Sequence, residues 1–160
     1  ELVDAFVNEK ISYNDSCCQF DKERAENAVH EIFLALDMVL EMLKTMNPSI
    51  LFEMQKYHPD AFQKFYKHKN EFMYSVIRDN IMKGTQEELY RPDIKVDILA
   101  RFRVESLMLP FHPDFHGKIK FDLAVIQEEL IYHFLFGLVS QKGYKLILKY
   151  QQDRLKKIPN

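Results

Sequence analysis

Two polar residues stand where helical spacing calls for apolar ones. Over residues 60–83, Phe62, Phe65, Tyr66, Phe72, Met73, Val76 and Ile77 recur at three- and four-residue intervals, which predicts an amphipathic helix. Lys69 and Asn80 fall inside that apolar arc, not at its edge. Each needs a partner, because an unpaired buried polar group costs roughly 1–3 kcal/mol and a charge costs more. A carboxylate on a neighbouring helix would supply one, or the ammonium would snorkel to water. Alternatively both groups stand in the wall of an internal cavity and hydrogen-bond the head of a ligand. Small-molecule pockets are mostly apolar with a few convergent polar groups. On that second account the lining residues are Met38, Met42, Phe52, Phe65, Lys69, Phe72, Val76, Asn80 and Phe102. Met38, Met42, Met46, Phe52, Met54, Tyr57 and Phe102 have ordinary core spacing, yet a methionine-rich interior also suits a deformable pocket.

The other reactive side chains do not assemble into a recognisable chemistry. His112 and His116 are four apart, but Pro113 and Gly117 place them in a loop, where that spacing does not bring two rings together. No Glu-x-x-His, glycine-rich phosphate loop or Gly-x-Ser-x-Gly occurs. Catalysis, a metal and a cofactor are therefore not expected. Cys17 and Cys18 are adjacent and are the only cysteines. A bridge between neighbours is strained, so free thiols in a reducing cytoplasm are the simplest reading and redox sensing the other one.

These residues must be carried by helices. The 160-residue chain has only 4 Gly and 6 Pro, and 47% of it is hydrophobic, which bounds it to one globular all-α domain over 1–160. A net charge of −2 argues against the chain as a whole being a nucleic-acid surface. No apolar run is long enough to span a membrane and no signal peptide opens the chain, so a soluble cytoplasmic protein is expected. About seven helices are expected from the periodicity. The central one, Ala25 to Met46, has Asp21 as N-cap and an apolar half from Ala28 to Met46; Leu34 and Met38 add a second spot, so it should be covered on two sides. A first helix runs from Glu1 to Ser12 and weakens towards Phe20. Asn47-Pro48 opens a short helix to Tyr57, His58-Pro59-Asp60 opens the long one, and Gly84 closes it. Arg91-Pro92-Asp93 caps a helix to Leu109, a loop spans 110–120, and two helices, Phe121–Ser140 and Tyr144–Lys157, finish the chain.

Phe121–Ser140 is apolar around most of its circumference, interrupted by Gln127 and Glu128. It is either a central helix of a monomer or a helix shared between its own core and a second copy of the chain. With one short helix after it, two-fold pairing is the expected completion. The interface candidates are Ile98, Phe102, Glu105 and Leu109 on one helix and Val125, Glu128, Tyr132 and Phe136 on the other. The ladder Asp97, Arg101, Glu105 would support an exposed helix or set partner choice at the seam.

With these elements in place the chain resembles the C-terminal, ligand-binding and dimerisation domain of TetR-family transcriptional regulators. The opening Glu1-Leu2-Val3-Asp4-Ala5-Phe6-Val7 resembles the helix that leaves the family's DNA-binding domain. The stretch 84–94, GTQEELYRPDI, resembles its Gly…Gly-aromatic-Arg-x-Asp-Ile turn, with Glu88 in place of the second glycine. The tail from Phe121 to Tyr150 is similar to the family's dimerising helix pair. The resemblance implies a homodimeric repressor whose small hydrophobic or amphipathic effector enters among the middle helices and changes the spacing of two DNA-reading heads. It also implies that residues 1–12 continue from a helix-turn-helix domain that this chain does not contain, and through which alone DNA would be bound. A helical protein-interaction module without a cavity is the competing reading, and a lipid carrier a third.

Overall fold

The computed structural model describes residues 2–157 of the chain. Among them α1 (Leu2–Arg24) and α2 (Ala28–Leu43) form a first pair, followed by α3 (Ile50–Tyr57) and α4 (Pro59–His68). A π-helical turn, Lys69–Met73, joins α4 to α5 (Tyr74–Gln86) in one rod. Then come α6 (Val96–Met108), a 3-10 turn (Leu109–Phe111), the single turn α7 (Pro113–His116), α8 (Leu123–Leu138) and α9 (Gln141–Lys156). Counting α4–α5 as one rod and setting α7 aside leaves seven full helices, and no strand forms among the described residues, so the all-α expectation holds. No helix of the described residues is long and apolar enough to cross a membrane.

The first break falls later than Asp21. Nothing between Ser12 and Phe20 stops α1, where Ser16 Oγ donates back to the Ser12 carbonyl. Asn27 is the residue that caps α2: its backbone is extended and its side chain accepts from His30 N at 2.9 Å. The same amide donates to Tyr150 Oη at 2.8 Å, fastening the start of α2 to α9. Helix α2 touches α1, α5, α8 and α9, as its broad apolar surface requires. Ala28, Val29, Phe33 and Leu36 enter the main core with Ile81, Leu135, Leu138 and Ile147. A second, smaller core joins Val7, Met54 and Ala61 of α1, α3 and α4.

Gly84 does not end its helix, which continues to Gln86. The chain turns at Glu88, whose φ of 59° is left-handed. Gly84 is needed for a close approach instead: a Cβ there would lie 2.2 Å from the Tyr90 ring. Helix α6 starts at Val96, beyond the Arg91-Pro92-Asp93 cap signal. Leu89 and Tyr90 are buried, and the chain there pairs with the end of α8. Arg91 N donates to the Leu138 carbonyl, Ser140 N to that of Leu89, each at 2.9 Å. Helix α9 starts at Gln141, three residues before the expected Tyr144, because Ser140 caps it: its Oγ accepts from Gly143 N. Gly143 lies within α9, where a side chain would strike the Leu89 carbonyl.

Candidate ligand cavity

Between the two cores lies a cavity of about 520 Å³. Its size falls within the range of small-molecule sites, roughly 300–1,000 Å³. Val3, Val7 and Ile11 of α1 and Leu51 and Met54 of α3 bound it on the smaller-core side. Ile32 and Leu36 of α2, Ile77 of α5 and Ile131 and Phe134 of α8 bound it on the other. Six of the seven methionines face it: Met38, Met42, Met46, Met54, Met73 and Met108. The lining residues that are exposed to solvent, Phe6, Lys10, Glu53, Tyr57 and His58, belong to α1 and α3 and the turn after α3. The mouth is therefore on that side, and the deep wall is made by α2, α6 and α8.

Of the nine predicted lining residues, Met38, Met42, Phe65, Val76 and Asn80 do line the cavity. Four do not. Phe52 points outward from α3, which turns Leu51 and Met54 inward. Phe102 is half exposed and shares the outer face of α6 with Ile98. Phe72 stacks on His68 with ring centroids 5.0 Å apart. Lys69 is 2% exposed, but its Nζ lies 3.0 Å from Glu105 and 4.6 Å from the Tyr66 ring centre. The carboxylate account of Lys69 is the one realised. Asn80 is also satisfied within the protein: Nδ2 donates to the Ala28 carbonyl at 3.0 Å and Oδ1 accepts from Tyr90 Oη at 2.9 Å.

The π turn explains the separation of Lys69 from Asn80. An ideal α wheel puts residues eleven apart on nearly the same line. A π turn inserts an extra residue and rotates the remainder of the rod by about one residue's angle. Lys69 consequently faces α6, while Asn80 faces the start of α2.

Other polar wall residues carry no such mark in the apolar pattern of α4–α5. Glu31 is held by Lys83 at 3.3 Å and His68 by Asp15 at 2.6 Å. Arg103 of α6 and Gln127 of α8 are both buried in the deep wall. Burial lowers the Arg103 guanidinium to about 10. A sequence signal for it exists: Arg103 is in the same stripe as Leu99, Ala100 and Leu107, the pattern that draws attention to Lys69. Cys18 also lines the cavity, and burial first, then the carboxylates of Asp21 and Asp15, push its thiol up to about 12.

The dimer candidates divide in the same way. Ile98, Phe102, Leu109, Val125 and Phe136 are exposed. Glu105 is taken by Lys69, and Glu128 and Tyr132 both accept from Arg154 of α9 at 2.8 Å. Arg154 also reaches Asp37 of α2 at 3.2 Å, so Glu128 and Tyr132 knit α8 to their own chain. The exposed apolar surface continues instead onto α9 through Tyr144, Leu148 and Leu155, and the Phe136 and Tyr144 rings are 5.7 Å apart. The charge ladder of α6 turns sideways: Asp97 accepts from Arg78 and Tyr74, and Arg101 from α6 donates to Asn70. The 110–120 stretch is not all loop, since His112 is the N-cap and His116 the last residue of the single turn α7; no three potential metal ligands converge among the described residues. Comparison with known proteins finds no match for this chain among family models, characterised proteins or solved structures.

Proposed function

We propose that this chain is the effector-binding and homodimerisation domain of a TetR-like transcriptional repressor. The observation that carries the reading is the position of the cavity between two cores, with α1 in the smaller one. A ligand that fills the space presses on α1 from inside, while α2, α5, α8 and α9 stay bound to one another. In the proposed mechanism α1 passes this displacement to a DNA-reading head. The coupling is as large as the ligand's preference for one position of α1 over the other. The uncovered apolar residues of α8 and α9 are the surface on which two copies would fix the spacing of the heads.

Two measurements test this. Light scattering at micromolar concentration should give twice the chain mass, and the coding sequence ahead of Glu1 should contain a helix-turn-helix. A monomer, or an unrelated upstream sequence, removes the reading. The competing role, a helical module that docks another protein, is favoured by the exposed Ile98 and Phe102 on α6. It would be supported by a monomer that binds no small molecule.

A further inference from the structure

We propose that the cavity takes a single-chain amphiphile with a carboxylate head, the head held by Arg103 and Gln127 and the chain lying among the methionines. This rests on the effector-binding reading of the same cavity.

Arg103 is 7% exposed and faces the cavity. A buried guanidinium is ordinarily matched by a carboxylate. Among the described residues Arg103 has none: Nη1 donates to Ser106 Oγ at 3.1 Å, and the group rests 5.7 Å from the centre of the Phe134 ring. Most of its N–H donors have no protein acceptor. Gln127 is 3% exposed, lines the same wall, and its Oε1 has no hydrogen-bond partner. Native proteins seldom leave such groups unmatched unless something else matches them.

The sign of the missing charge is set by the rest of the wall. Glu31 is already neutralised by Lys83, and His68 is already engaged by Asp15. Lys10 and Glu53 are at the exposed mouth. Arg103 is therefore the deep charge without a counterpart. A carboxylate accepts from a guanidinium in the two-pronged geometry that both prefer. Gln127 supplies Nε2 to the head after a half-turn of its amide, since the two ends of an amide exchange places without changing its shape. One cation and one amide suit a monoanion better than a phosphate dianion. Flexible methionines conform to an unbranched chain at little cost.

The test is calorimetric titration of the purified chain with four probes sharing one alkyl length: laurate, lauryl alcohol, dodecyltrimethylammonium and dodecyl phosphate. Laurate should bind about tenfold or more tighter than the alcohol, with the cation weakest and the phosphate below laurate. Arg103→Met should remove the preference for laurate over the alcohol, the loss falling mainly on laurate. The same substitution should raise the Tm of the ligand-free protein, because it deletes an unmatched buried charge. Arg103→Lys should keep part of the preference. Should Arg103→Met fail to fold, Gln127→Leu, which retains the guanidinium, should still weaken laurate severalfold. Equal binding of laurate and alcohol in the native chain overturns the head assignment while leaving the cavity as a ligand site. Failure of every probe to bind, in a protein that is still dimeric, overturns the effector reading as well.

Discussion

At Glu88 the backbone turns through a left-handed conformation (φ 59°) that costs a residue with a Cβ about 1–2 kcal/mol. The Glu88 carbonyl is nonetheless placed to accept from Ser140 Oγ at 2.8 Å, so the turn is held from outside. Glycine would relieve the strain but lose more entropy on folding, and the net gain expected for Glu88→Gly is about 0.5–1 kcal/mol. Urea denaturation of the two proteins measures it. Cys18 makes a second residue-scale prediction. Its thiol titrates higher when folded than its ordinary value of 9.0, so the unfolded chain gives up the proton first. Stability from this group is complete below the ordinary value and is lost as pH rises from there towards about 12. Cys18→Ala should flatten the alkaline fall in stability, followed by chemical denaturation at a series of pH values. Native Cys18 should also resist iodoacetamide, as mass spectrometry of labelled peptides would show, because the thiolate is the reactive form. For single residues the sequence speaks clearly about which are out of place and poorly about what they meet. Lys69 and Arg103 carry the same signal, a cation in an apolar stripe; one has a carboxylate in reach and the other does not. Only the three-dimensional neighbours separate them.

The elements themselves are legible where apolar spacing is long and unbroken, as in α2 and α8. Their ends are legible where a side chain does the capping: Asp122 accepts from Val125 N at 2.9 Å and starts α8 within two residues of the expected place. Ends set by packing are not. Gly84 reads as a terminator in sequence, yet its role is to admit the Tyr90 ring, a partner six residues on that no local rule names. Gly84→Ala should force that ring away from Asn80 and the Ala28 carbonyl and cost about 2–3 kcal/mol, read as a fall in Tm. The π turn is the other element that local spacing misses, since a wheel drawn through it misplaces every residue on one side. It also holds Lys69, whose partner Glu105 is 54% exposed while Lys69 is 2% exposed. Removing that carboxylate leaves the buried Lys69 ammonium without its counter-charge, so Glu105→Ala should cost about 3 kcal/mol even though Glu105 itself is half exposed. Lys69 does not line the cavity, so ligand affinity should be unchanged in the same variant, a combination that titration and thermal unfolding check together.

For the whole molecule, the division into two cores is the least legible feature, because each helix contributes to a single apolar pattern whichever core receives it. The exposed face at the carboxyl end is half legible. Val125 and Phe136 stand out from α8 alone, whereas the spacing of α9 gives a plain last helix although Tyr144, Leu148 and Leu155 recur on one line of it. If this face joins two copies, Phe136→Glu with Leu148→Glu should yield a folded monomer, distinguished by light scattering with unchanged helical circular dichroism. Both residues are solvent-facing in the single chain, so neither change disturbs its core.

The methionine distribution has a practical consequence. Six thioether methyls surround the cavity, and the seventh, on Met82, is on the exterior. Isotope labelling of methionine methyls would therefore give a magnetic-resonance spectrum in which nearly every signal comes from the cavity wall. Met82 would act as an internal standard that a guest molecule leaves in place, so occupancy could be followed without attaching any reporter to the protein.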